Sequence, residues 1–113
     1  MKNELPEAGW KEKFLLFIGR RLGFRVAGNS MLPTLKDGEA VLINRRAKAR
    51  AGDIILANHP FKKSVKILKR VRNFTEQGDL FLVGDNPAES TDSRTFGAVP
   101  LKYLIGKATC RLK

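Results

Sequence analysis

Cysteine and histidine are almost missing from this sequence: Cys110 and His59 are the only ones. A single cysteine excludes an internal disulfide. With one residue of each kind, no His/Cys set stands at metal-ligand spacing, so no metal and no other cofactor is expected. A histidine-based catalytic triad would rest on His59 alone. His59 has no aspartate or cysteine partner in evident register, so it reads as a turn residue beside Pro60, with a place near a substrate cleft as the alternative. Cys110 reads as a strand residue. Long apolar runs are missing too. The longest near the N-terminus is Phe14-Leu15-Leu16-Phe17-Ile18, followed at once by Gly19, Arg20 and Arg21. A membrane-spanning helix needs about 20 apolar residues. A secretory signal needs an apolar stretch of roughly 7–15 residues and a small-residue cleavage site. Neither pattern is present, so the expected location is cytoplasmic, with room for peripheral contact with a membrane.

Positive charge is plentiful. Lys and Arg number 22 against 11 Asp and Glu, a formal net charge of +11. Such a balance favours an acidic partner: nucleic acid, an anionic membrane face or an acidic protein. Hydrophobic residues make up 42% of the 113, enough for one domain with a real core rather than a basic tail. A small basic β-barrel that binds single-stranded nucleic acid is also compatible with this charge. Phe74, Phe81, Phe96 and Tyr103 do not form an obvious stacking array, so nucleic acid is not the expected partner.

The chain divides into an arm, residues 1–23, and a catalytic-size domain, residues 24–113. Trp10, Phe14, Phe17, Ile18 and Leu22 recur at helical spacing among Lys11, Lys13, Arg20 and Arg21. This predicts a short amphipathic helix over Trp10–Leu22, either docked on the domain or in contact with a membrane surface. Beyond it the pattern is β. Candidate strands are Phe24–Ala27, Glu39–Asn44, Ile54–Ala57, Ser64–Phe74, Leu80–Val83 and Tyr103–Leu112. Lys36-Asp37-Gly38, Ala51-Gly52-Asp53 and Gln77-Gly78-Asp79 supply turns, and Pro60 ends the third strand. Gly106 marks a bulge in the last. Gly84–Gly97 reads as a polar loop. The predicted fold is mostly β: a small folded sheet or barrel of antiparallel strands with a short N-terminal helix or arm.

Three segments carry chemistry. Gly28-Asn29-Ser30-Met31-Leu32-Pro33-Thr34-Leu35 follows a short strand. Gly28 permits unusual dihedrals and Pro33 blocks regular structure, so the segment is either a plain turn or one that exposes the Ser30 hydroxyl beside backbone N–H groups. In Ser64–Arg72, strand alternation puts Val65, Ile67, Lys69 and Val71 on one face and Lys66, Leu68, Arg70 and Arg72 on the other. Lys69 is then the only charge on the apolar face. Either its stem packs while the ammonium reaches water, or lost solvation lowers its pKa and makes it a general base. In Gly84–Gly97, Asp92 can pair with Arg94, Asp85 with an arginine such as Arg70, and Ser90 can hold the lysine amine. As isolated features these are also what a solvated loop would show.

Taken in order, these segments resemble the signature boxes of the type I signal peptidase family. Ser30-Met31-Leu32-Pro33-Thr34-Leu35 with Asp37-Gly38 is similar to the nucleophile box, and Gly52-Asp53-Ile54-Ile55 to the next. Lys69-Arg70-Val71 is similar to the general-base box. Gly84-Asp85-Asn86, Ser90, Asp92-Ser93-Arg94 and Phe96-Gly97 are similar to the last. The resemblance runs from Phe24 to Leu112. It implies a serine endopeptidase with a Ser30–Lys69 dyad, Ser90 orienting the lysine amine, and the Ser30 N–H as one oxyanion donor. Some members place a serine hydroxyl in the oxyanion hole where this chain has Gly28. Arg70, Asp85, Asp92 and Arg94 would brace the site. The self-cleaving repressor proteases use a similar Ser–Lys core, but Gly84–Gly97 favours the peptidase branch. The compact form, with Asn58-His59-Pro60, is most similar to the nickel-type superoxide dismutase maturation proteases. This implies removal of an N-terminal leader from the nickel superoxide dismutase precursor, with nickel bound by the substrate. The alternative is a general signal peptidase that cuts exported preproteins at the membrane.

Overall fold

Short apolar runs rich in Val, Ile and Leu, closed by Gly- and Asp-containing turns, can bury themselves only as strands that pair with one another. The computed structural model describes residues 5–112. Among the described residues six strands are formed: β1 (Leu22–Arg25), β2 (Ala40–Asn44), β3 (Ile54–Asn58), β4 (Lys66–Phe74), β5 (Leu80–Val83) and β6 (Leu104–Leu112). Two short α-helices accompany them, α1 (Trp10–Phe17) and α2 (Ser93–Phe96). The strands make one sheet in the order β1-β2-β6-β3-β4-β5. Every neighbouring pair is antiparallel. The fold is therefore the mostly-β sheet with a short N-terminal helix that the sequence predicts.

The sheet is buried on both faces. On β3, Ile54 and Leu56 join a cluster with Val26, Met31, Leu35, Val41, Ile43 and Leu68. Ile55 and Ala57, on the opposite face, join Val71, Leu80, Leu82 and Val99. This is why the third strand has no polar alternation. It also corrects the reading of β4. Leu68 does not lie on a polar face but is 7% exposed in the first cluster, because the sheet curls over it. Register breaks supply the curvature. β6 skips a residue against β2 and another against β3, and β4 skips one against β5. One of them adjoins Gly106, where an added Cβ would lie 2.6 Å from the Asn44 carbonyl oxygen.

Edge strand β5 is covered by its own continuation. Leu80 and Val99 exchange backbone bonds of 2.8 and 2.7 Å. The Leu82 N–H donates to Ser93 Oγ at 2.9 Å, and the Gly84 N–H to Asp92 Oδ2 at 2.8 Å. Residues 92–99 thereby take the ladder bonds a seventh strand would take.

Several boundaries differ from expectation. Leu22 opens β1 and does not extend the helix, because Gly19 at φ +82° ends α1. Ala27 falls outside β1, Ser64 and Val65 lie in the turn before β4, and Tyr103 lies in a short 3-10 turn. The loop of Gly84–Gly97 contains α2, capped by Asp92, whose side chain accepts from the Arg94 N–H. The N-terminal segment is tied to the body: the Arg111 N–H donates to Pro6 O and the Ala8 N–H to Arg111 O. Residues 1–4 of the expected arm, and Lys113, lie outside the described residues.

Candidate active site

The loop around Ser30 is held from below and from the side. Met31 and Leu35 are 1% and 0% exposed and pin the loop to the first core cluster. Gly28 takes φ +84°, and its N–H donates to Asp37 Oδ1 at 2.7 Å. That amide is committed to shaping the loop. The Asn86 N–H donates to Ser30 O at 2.8 Å, and Asn86 Nδ2 donates to Asn29 O at 3.0 Å. Thr34 Oγ1 donates to the buried Asp85 Oδ2 at 2.6 Å.

Lys69 sits on β4 opposite Ile55 and is 6% exposed. Its Nζ donates to Ser90 Oγ at 3.0 Å. Ser90 has one hydroxyl proton and gives it to Asp92 Oδ2 at 2.6 Å. Asp92 also accepts from Arg94 Nη2 at 2.6 Å and Arg94 Nε at 3.0 Å. Burial lowers the pKa of Lys69 from its ordinary 10.5; the Asp92 charge opposes this and the Arg94 charge assists it. At Asp92, burial acts to raise the pKa. The bonds from Arg94, Ser90 and the Gly84 N–H outweigh it and hold the carboxyl well below the usual range. Arg94 thus compensates the anion that would otherwise keep the neighbouring lysine charged.

Ser30 and Lys69 line one cleft of about 120 Å³, with Phe24, Val26, Ala27, Met31, Ile67 and Leu68 as its apolar walls. β1 and β4 are not neighbours in the sheet. They share the cleft because the sheet curls. Gly84 separates the two halves of the site: a Cβ there would collide with Ser90 Oγ and lie 2.6 Å from Ser30 O. A larger hollow of about 500 Å³, bordered by Glu7, Lys36 and Arg111, includes neither Ser30 nor Lys69.

Arg70 and Asp85 form a second, nearly buried pair. Arg70 Nε and Nη2 reach the two carboxylate oxygens at 2.9 and 2.8 Å, and Nη1 reaches Gly52 O at 2.6 Å. With Thr34, this joins β4, the turn before β3 and the loop of Ser30. Thr34, Gly84 and Asn86 are site residues that the sequence alone does not mark as such. Gly84 and Asn86 stood inside a recognised motif, but a steric role and a bond to a distant carbonyl leave no mark on composition. His59 is a turn residue: Nδ1 accepts from the N–H groups of Phe61 and Lys62 at 3.0 and 3.1 Å. Burial and the Lys62 charge lower its pKa. Cys110 is buried in β6, where burial raises its pKa. Among the described residues no cluster of acidic, His or Cys side chains is placed to hold a metal.

A Peptidase S24-like family model matches residues 13–102. The chain is 31% identical to mitochondrial inner membrane protease subunit 1 of Xenopus tropicalis, over 76% of this chain and 65% of that protein. It is 31% identical to mitochondrial ATP-independent inner membrane protease subunit 1a of Arabidopsis thaliana, over 77% and 67%. It is 33% identical to mitochondrial inner membrane protease subunit 2 of Danio rerio, over 75% and 60%. The chain therefore spans 60–67% of the length of these relatives. These names overturn the expectation of a cytoplasmic protein, since they place the relatives at an inner membrane. No helix among the described residues is long and apolar enough to cross one. The narrower expectation, a nickel superoxide dismutase precursor as substrate, finds no support in these relatives, whose names favour the alternative, a general signal peptidase acting at a membrane. The extent of the family match makes the conclusion plain: the chain belongs to the Peptidase S24-like family of proteases.

Proposed function

We propose that this protein is a serine endopeptidase that removes leader peptides from precursor proteins at a membrane, with Ser30 as nucleophile and Lys69 as general base. The observation that carries the reading is the buried Lys69 side chain, bonded through Nζ to Ser90 and lining the same cleft as Ser30. A neutral amine has two N–H groups and one lone pair. Ser90 accepts one N–H, which orients the lone pair for the Ser30 proton. Ser30 Oγ then adds to the scissile carbonyl. Lys69 passes the proton to the leaving amine as the acyl-enzyme forms, and takes one from the water that hydrolyses the ester. The Ser30 N–H supplies an oxyanion donor. Arg70, Asp85, Asp92 and Arg94 hold the two halves in register without touching the reacting atoms, and Gly28 shapes the loop.

The test is intact-mass analysis of leader-bearing precursors, a nickel superoxide dismutase precursor among them, incubated with wild-type, Ser30→Ala and Lys69→Ala protein. A single cut by wild type, reduced at least ~10³-fold in both variants, is expected. Undiminished cleavage by either variant sinks the dyad. A cut confined to the dismutase precursor would restore the narrower substrate.

A further inference from the structure

The N-terminal helix is mounted inside out. Trp10, Phe14 and Phe17 recur at i, i+4 and i+7 and form one stripe. They are 76%, 55% and 86% exposed, and Ile18 extends the stripe at 48%. Glu12, on the opposite face, turns toward the sheet. It accepts from Arg21 Nε and Nη2 at 2.9 and 3.1 Å and from Thr109 Oγ1 of β6 at 2.8 Å. A helix that served only its own domain would turn the aromatic stripe inward and the carboxylate outward. Here the polar anchor fixes the reverse.

Basic residues rim the stripe. Lys11 and Lys13 flank it on either side of the helix, with Lys11 Nζ 5.7 Å from the Trp10 ring centroid. Exposed Arg20 follows just beyond the helix. Eight residues rise only about 12 Å, far short of the roughly 30 Å of a bilayer core, so α1 cannot cross a membrane. We propose that this face of α1 lies flat in an anionic bilayer surface, rings at the boundary of headgroups and acyl chains and lysines on the lipid phosphates. Charge complementarity selects that occupant. A second copy docked through the same face would bring Lys11, Lys13 and Arg20 against themselves, on chains of net charge +11. α1 leads into β1, whose Phe24 lines the cleft, so the docked helix tethers the cleft to the lipid surface.

The inference goes beyond the protease reading and is tested without substrate, so failure of one is separable from failure of the other. Trp10 is the only tryptophan, so its emission reports on α1 directly. The full chain is titrated with phosphatidylcholine vesicles with and without phosphatidylglycerol. A blue shift of Trp10, with quenching by brominated acyl chains, is expected on the anionic vesicles. Phe14→Ser/Phe17→Ser should weaken partitioning by about tenfold or more, with an unchanged thermal melt because both rings are exposed. No shift on anionic vesicles at low salt overturns the proposal. So does equal partitioning of the double variant, which would make the attraction one of charge alone. A dimer in sedimentation that the double variant dissolves would assign the face to a second copy instead.

Discussion

At the scale of single residues, the site depends on where Lys69 loses its water. Its ammonium is disfavoured chiefly by burial, and the paired Asp92–Arg94 beside it adds little net charge. The rising limb of kcat/KM with pH should therefore fall below the ordinary lysine value of 10.5. A rate profile across pH 6–11 checks this, and a midpoint at or above that value would contradict it. Stability carries the same sign. Between the lowered pKa and 10.5 the unfolded chain binds more protons, so stability from this group rises with pH through that window. At any pH below 10.5 the folded state must either hold a buried charge or give up a proton the unfolded chain keeps, so Lys69→Met should raise Tm at neutral pH while abolishing cleavage. Asp92 gives a slope of the same sign in a lower pH window. Its depressed pKa contributes stability fully present above 3.8 and lost as pH falls through the folded value. Acid unfolding should shift toward neutral in Asp92→Asn, as read by circular dichroism against pH. Gly84→Ala tests packing rather than charge. The added methyl must displace Ser90 or the Ser30 carbonyl. Cleavage should fall about 100-fold or more from misplacement of the site, with a stability cost of about 1–3 kcal/mol from overpacking.

At the scale of elements, the site is a joint between the loop of Ser30, β4 and the segment that covers the β5 edge. Thr34, Asp85, Arg70 and Gly52 O form one bonded chain across it. Thr34→Val keeps the shape and removes one bond to a side chain that is 2% exposed. It should cost about 1–3 kcal/mol, measurable by denaturant titration. Asp85→Ala removes the carboxylate that pairs with the largely buried Arg70 guanidinium and should cost about 3–5 kcal/mol. Equal stability of both variants to wild type would show the joint to be incidental. The elements were readable in unequal measure. β5 is where its apolar run and flanking Gly78 and Gly84 predict it. β1 is displaced by two residues because Leu22 serves a helical stripe and a strand equally well in sequence. α2 was not legible: four residues are too few for a periodicity, and the helix exists because Asp92 caps it while also facing Ser90.

At the scale of the whole molecule, the curl of the sheet brings distant strands to one cleft. Gly106 is a test of that curl. Its Cβ would meet Asn44 O at 2.6 Å, the Ile43 side chain and Arg45 Cα, so Gly106→Ala should lower Tm although it lies in β6, away from the cleft residues. The residue types, the order of strands along the chain and the motif carrying Ser30, Lys69 and Ser90 are properties of the sequence, because they depend on local alternation, turn chemistry and spacing. So does the helical stripe of Trp10, Phe14 and Phe17. Only the tertiary structure decides that Leu68 is core, that Gly84 must be glycine, that Asn86 clamps the Ser30 loop, and that α1 turns its aromatic stripe outward. Each of these depends on which surfaces meet across the curled sheet, and contact between residues far apart in the chain leaves no local pattern to read.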